Sequence, residues 1–75
     1  MLRSGNEMYK SKALSFFILN TQSYPSSYNA YDSLGEAYDV LGDKKKAIES
    51  YKKAIELYPN NDYILNKIET LSKNE

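Results

Sequence analysis

The sequence contains no cysteine and no histidine. Disulfides, zinc sites of the usual ligand types and histidine acid–base chemistry are therefore excluded, while compartment is left open. Net charge is missing too. Ten Asp and Glu balance ten Lys and Arg, which removes the broad positive field that non-specific nucleic-acid binding needs. No apolar run approaches the roughly 18 residues of a membrane span, and the opening MLRSGNE lacks the apolar stretch of a secretory signal. The chain is expected to be soluble, cytoplasmic by default, with no membrane or nucleic-acid partner. Enzyme fingerprints are equally scarce: no P-loop, dinucleotide turn or calcium loop is present. Ser50-Tyr51-Lys52-Lys53 has the S-x-x-K form of a serine nucleophile, but its companion motifs are absent and Ser50 falls in mid-helix. No catalytic residue, cofactor or metal is expected. With 75 residues there is one domain at most, burying only about 60% of its unfolded surface, so stability must come from efficient helix packing.

What the chain has in excess is tyrosine, eight in all, and helical periodicity. In YNAYDSLGEAYDVLGDKKKAIESYKKAIELYPNN, from Tyr28 to Asn61, Ala30, Tyr31, Leu34, Ala37, Tyr38 and Leu41 recur as the apolar face of one helix. Ala47, Ile48, Tyr51, Ala54, Ile55 and Tyr58 repeat the rhythm in a second. Between them Gly42 supplies a left-handed stop and Asp43 a side-chain oxygen to cap the next start. Helices are predicted at about 27 to 41 and 44 to 57. Tyr31, Tyr38 and Tyr51 read as core with their hydroxyls at the wet edge.

On either side lie further helices. Ser4-Gly5-Asn6-Glu7 has the form of a capping box, or places a turn at Gly5-Asn6, and both readings start a helix near Glu7 that runs to about Gln22. Tyr24-Pro25-Ser26-Ser27 ends it, with Ser26 or Ser27 capping the next helix. Pro59-Asn60-Asn61 repeats that chemistry before a last helix at about 61 to 73, whose apolar face is Ile64, Leu65, Ile68 and Leu71. Along the central helix Asn29, Asp32, Glu36 and Asp39 form one polar stripe with three carboxylates. Glu49 can pair with Lys45, Lys52 or Lys53 at helical spacing, so the cluster of Lys44, Lys45, Lys46, Lys52 and Lys53 reads as a solvated face.

Tyr31, Leu34, Gly35 and Tyr38 stand at the spacing W-x2-L-G-x2-Y, followed in register by Ala47, Tyr51 and Pro59, and this pattern resembles the tetratricopeptide repeat, a helix-turn-helix unit of about 34 residues. A shift by about one repeat length places Lys10 on Lys44, Lys12 on Lys46, Ala13 on Ala47, Phe17 on Tyr51, Tyr24 on Tyr58 and Pro25 on Pro59. The resemblance implies an all-α fold of antiparallel helix-turn-helix repeats, a right-handed solenoid fragment of about four helices. Residues 1-75 would form one domain: 7-25 the second half of a partial repeat, 28-61 a complete repeat and 62-75 a C-terminal capping helix. In the family the first helix of each repeat lines a concave groove that holds extended peptides. The corresponding candidates here are Asn29, Asp32, Ser33 and Glu36, with Tyr63 and Asn66 from the last helix. Chaperone-binding members place Lys and Asn there to clamp a terminal carboxylate; the acidic face here lacks that clamp and favours a basic or neutral partner.

The function implied is a non-catalytic protein–protein interaction module that presents a groove or an exposed helix face to a peptide or protein. A structural alternative comes from Phe16, Phe17, Ile18 and Leu19, whose consecutive apolar side chains point around most of a helix and would leave part of it uncovered. That face is a candidate for homo-oligomer formation, a dimer through the first helix. The sequence also looks like the repeat tails found at the C-terminal end of bacterial serine hydrolases, in which case any catalysis would belong to another domain.

Overall fold

The computed structural model describes the backbone of residues 3–73 and the side chains of residues 12–73. All regular structure among these residues is helical: α1 (Arg3–Ser23), α2 (Tyr28–Val40), α3 (Lys44–Leu57) and α4 (Asp62–Lys73). Helices α2 and α3 form the most extensive pair, α1 packs on α2, and α4 packs on α3. The Cα extents of 44 × 31 × 15 Å correspond to two helix layers, because packed helix axes lie about 8–10 Å apart. So thin a slab leaves one side of each helix near solvent.

Seven of the eight helix ends fall within about one residue of the sequence reading; the start of α1 does not. The helix begins at Arg3, not near Glu7, so Gly5-Asn6 lies inside it and forms no turn. One glycine costs a helix only about 1 kcal/mol, too little to stop it where no proline intervenes. The capping-box side chains of Ser4 and Glu7 lie outside the described side chains.

Local chemistry sets the other boundaries. Gly42 has φ of +86°, and around it Gly42 N–H donates to the Asp39 carbonyl at 3.0 Å and Asp43 N–H to the Tyr38 carbonyl at 2.9 Å, the paired bonds of a Schellman stop. Asp43 Oδ1 then accepts from Lys46 N–H at 3.2 Å and caps α3. The two Tyr-Pro turns share one hydrogen-bond pattern. Tyr24 N–H donates to the Asn20 carbonyl and Tyr58 N–H to the Ala54 carbonyl, each at 2.9 Å. Ser27 N–H then reaches the Tyr24 carbonyl at 3.0 Å and Asn61 N–H the Tyr58 carbonyl at 3.3 Å, which closes a turn with proline at its second position. Ser27 Oγ caps α2 by accepting from Ala30 N–H at 3.3 Å, and Asn61 Oδ1 caps α4 by accepting from Ile64 N–H at 3.2 Å. Above these turns the Tyr28 and Tyr58 rings meet edge to face, 4.9 Å apart.

The core gathers Ala47, Ile48, Tyr51 and Ala54 of α3 with Ile64 and Leu71 of α4, and Tyr28, Tyr31, Tyr38, Ile55 and Ile68 pack around it. Burying a side chain such as Ile64 contributes about 1.5–3 kcal/mol. At its centre the Tyr51 ring, 1% exposed, lies directly on Gly35. A Cβ at Gly35 would stand 2.5 Å from one Tyr51 ring carbon and 2.6 Å from the next. No side chain larger than hydrogen fits there while the ring is in place.

That contact predicts a coupled pair of substitutions. Gly35→Ala is expected to destabilise the chain by about 1–3 kcal/mol, the usual cost of overpacking. In a Tyr51→Leu background the clash is gone, and the same change becomes neutral or stabilising by up to about 1 kcal/mol, the helix-propensity advantage of alanine. Urea denaturation of the four variants in this cycle measures both effects; equal costs in the two backgrounds would show that the ring does not enforce the glycine.

Candidate functional site

Helices α2 and α4 lie on the same side of α3, and the space between them is a groove of about 470 Å³. Glu36, Asp39 and Val40 of α2 form one wall, Tyr63, Asn66, Lys67, Thr70 and Leu71 of α4 the other, and Tyr51 of α3 the floor. The α4 residues fall at i, i+3, i+4, i+7 and i+8 from Tyr63, so a single stripe of that helix faces the groove. Its apolar content comes from Val40, Leu71 and the two tyrosine rings, its polar content from carboxylates, amide, hydroxyl and ammonium.

Lys67 dominates the electrostatics. Its Nζ donates to Asp32 Oδ1 at 3.0 Å and to Glu36 Oε2 at 2.6 Å, and it lies 4.3 Å from the centroid of the Tyr63 ring and 5.2 Å from that of Tyr51. The Lys67 and Asp32 side chains are only 18% and 15% exposed, whereas Glu36 is 54% exposed. The pair with Asp32 is therefore shielded from the solvent screening that makes surface ion pairs nearly worthless, though desolvation offsets part of the gain. Burial works against the Lys67 ammonium, but its hydrogen bonds to Glu36 and Asp32 outweigh it, so its pKa lies above the ordinary lysine value. Burial also pushes the Tyr51 hydroxyl up to about 12; the nearby Lys67 opposes this, and Glu36, Asp32 and Asp39 reinforce it.

Of the six residues that the sequence proposed for the groove, Glu36, Tyr63 and Asn66 line it, and Asp32 reaches its edge through Lys67. Asn29 and Ser33 do not line it. Asn29 precedes Asp32 by a turn, beyond the Lys67 bridge, and Ser33 is rotated by about 100° from Asp32 around α2. The stripe is less acidic than its sequence implies, because one lysine spans two of its three carboxylates. Among the described residues Asp39 makes no ion pair. Lys67 lies off the apolar face that the sequence predicts for the last helix and was not among the groove candidates. The signal available was its position on the Tyr63–Leu71 stripe, opposite an acidic stripe that lacked a counter-ion.

The remaining candidates separate in a similar way. On α1, Phe16 and Leu19 are 63% and 59% exposed, while Phe17 and Ile18 are half-buried. Phe17 shares a small cavity of about 160 Å³ with Ala13, Ala37, Val40 and Leu41. The pairing expected for Glu49 is replaced. Among the described residues Lys53 reaches Glu56 at 3.5 Å, with both ends exposed, and Lys46 and Lys53 lie 5.8 and 6.0 Å from the Tyr38 and Tyr31 ring centroids. Of the lysines expected beside Glu49, Lys53 is thus engaged by Glu56 and lies by the Tyr31 ring. Ser50 of the S-x-x-K match is buried in α3. Among the described residues no group of three or more His, Cys, Asp or Glu is placed to hold a metal ion, and no helix is long and apolar enough to cross a membrane.

In comparison with known families, residues 28–61 fit the family model described as Tetratricopeptide repeat. No curated protein matches the chain.

The groove's two shifted groups fix the sign of its alkaline response. Both Lys67 and Tyr51 hold their protons more tightly folded than unfolded, so each contributes stability that is fully present below about pH 10, the ordinary range of both side chains. That contribution is lost as pH rises, for Tyr51 between about 10 and its folded value of about 12. The urea midpoint is expected to fall from about pH 10 upward, and less steeply in Tyr51→Phe and in Lys67→Met. An identical alkaline slope in all three proteins would contradict the assignment.

Proposed function

We propose, from the match of residues 28–61 to the tetratricopeptide repeat family, that the chain is a non-catalytic interaction module that holds an extended segment of a partner protein between α2 and α4. Tetratricopeptide repeats generally mediate protein–protein interaction. The observation that carries the reading here is the groove of about 470 Å³, with the Tyr51 ring at its floor and carboxylates on one wall. An extended strand presents alternate side chains to such a surface. Val40, Leu71 and Tyr63 would receive an apolar residue, Asn66 and Thr70 would hydrogen-bond the backbone, and Glu36 and Asp39 would favour a neutral or basic neighbour. In this reading α1 is the second half of an earlier repeat and α4 caps the array.

A second reading rests on a different observation. Phe16 and Leu19 stand exposed on one side of α1, and clustered apolar surface of this kind marks contact sites. Two copies of the chain would associate through that face. Sedimentation equilibrium reads it directly: Leu19→Lys is expected to abolish a wild-type dimer, and a wild-type monomer at millimolar concentration would rule the reading out.

For the groove, selection from a random peptide library on the immobilised protein is expected to enrich sequences that combine Lys or Arg with a large apolar residue. Val40→Asp should weaken the selected peptides at least tenfold, and Asp39→Asn about threefold at low salt, converging with wild type as salt screens the charge. Peptides that bind both variants as well as wild type would place recognition elsewhere.

A further inference from the structure

Four groups from three helices converge on the Lys67 ammonium. Asp32 and Glu36 of α2 accept its hydrogen bonds at 3.0 and 2.6 Å, and the rings of Tyr63 on α4 and Tyr51 on α3 lie 4.3 and 5.2 Å from it. Carboxylates and aromatic faces aimed at one point are what recognise an ammonium ion. Everything but the cation itself is supplied by residues other than Lys67. We propose that Asp32, Glu36, Tyr51 and Tyr63 form a receptor site for a primary ammonium, filled in the free protein by Lys67 and taken over by a lysine side chain of the bound partner segment.

Several features of the geometry support exchange. Glu36, Tyr51, Tyr63 and Lys67 all line the groove, so a side chain that enters from it reaches the same point. Glu36 is 54% exposed and Tyr63 64% exposed, so the mouth of the cage is already open to solvent. Replacing one ammonium by another preserves the charge, the hydrogen bonds and both ring contacts. The exchange is opposed chiefly by the ordering of the incoming chain, while Lys67 regains rotamer freedom and hydration in water. Lysine suits the site better than arginine, because acceptors and rings converge on a single atom, whereas a guanidinium spreads its donors over a plane. Asp39, one turn beyond Glu36, adds attraction for an approaching cation.

The partner half of this proposal rests on the groove being the binding surface; the cage does not, and the two are tested separately. In Lys67→Ala the cage loses its occupant, and n-butylammonium chloride, which matches the length of the lysine side chain, serves as the probe. The helical circular-dichroism signal and melting temperature of Lys67→Ala are expected to rise by several degrees with a saturable, millimolar-range midpoint, whether the variant starts folded or partly unfolded. Sodium chloride at equal ionic strength should give no such gain, nor should butylammonium stabilise wild type, Lys67→Met, whose own stem fills the space, or the double variant Asp32→Asn with Lys67→Ala. Equal effects of butylammonium and sodium, or rescue that survives in the double variant, would overturn the cage. The takeover is read by ¹⁵N NMR of the Lys67 ammonium in wild type. Lysine-bearing peptides selected on the groove should release it to fast exchange, and bound peptides that leave its signal unchanged would overturn the takeover while the groove reading stands. Rescue by butylammonium with no peptide binder at all would strike the groove reading and the partner half together and leave the cage in place.

Discussion

The contact between the Tyr51 ring and the backbone at Gly35 is the constraint on which the other helices depend. It lets α2 and α3 approach until an aromatic side chain occupies the space that a Cβ would otherwise fill, and it turns the ring into the floor on which α4 rests. A smaller core residue would leave a void costing on the order of 2–5 kcal/mol in a domain with little core to spare. The ring also connects packing to electrostatics. Its hydroxyl feels the charges of Lys67, Glu36, Asp32 and Asp39, and the Lys67 ammonium lies 5.2 Å from its ring centroid, so the side chain that closes the core also floors the groove.

The partial burial of Asp32 and Lys67 explains why a single lysine governs that surface. Two carboxylates on adjacent turns of α2 repel each other, and the Asp32 side chain, 15% exposed, gives up much of its hydration, a cost that a counter-ion offsets. Lys67 provides it across the gap between α2 and α4, in bonds that join residues 35 and 31 positions apart in the chain. The pair thus ties α4 to the hairpin electrostatically, where apolar contact through Ile64 and Leu71 already holds it. Register follows from both: apolar residues choose the face of α4, and the ammonium fixes its position along α2.

The division between what the sequence revealed and what it hid has a physical basis. Helix boundaries at Ser27, Gly42, Asp43 and Asn61 are set by bonds that span no more than five residues, so the local chemistry suffices to place them. The core positions Leu34, Ala47, Tyr51 and Ala54 follow from periodicity, and Gly35 belongs to the same pattern. Lys67 was hidden because its partners lie on another helix and its assignment requires the α2–α4 register. Any lysine on a short amphipathic helix reads as solvated until the opposing stripe is placed against it. Asn29 and Ser33 were included in the groove for the matching reason: composition shows which residues share a stripe, not where a neighbouring helix ends its coverage.

A comparison of α1 with α3 shows the same sequence grammar responding to different cover. Phe17 stands one repeat length before Tyr51, and Asn20 one before Ala54. Tyr51 and Ala54 are closed off by neighbours to 1% and 0% exposure, whereas Phe17 and Asn20 remain half-buried, because α2 packs against α1 from one side and the small cavity beside Phe17 stays open. An asparagine is tolerated at the small-residue position because water can still reach it; fully enclosed, it would demand a partner or cost on the order of 1–3 kcal/mol. Thr21, by contrast, is buried, and its hydroxyl donates to the Ile18 carbonyl at 2.7 Å, which satisfies the one polar side chain that α1 encloses among the described residues. Among the described residues of α1, Asn20 and Thr21 thus match their degree of enclosure, and the large apolar side chains of Phe16 and Leu19 lie where the fold provides no cover.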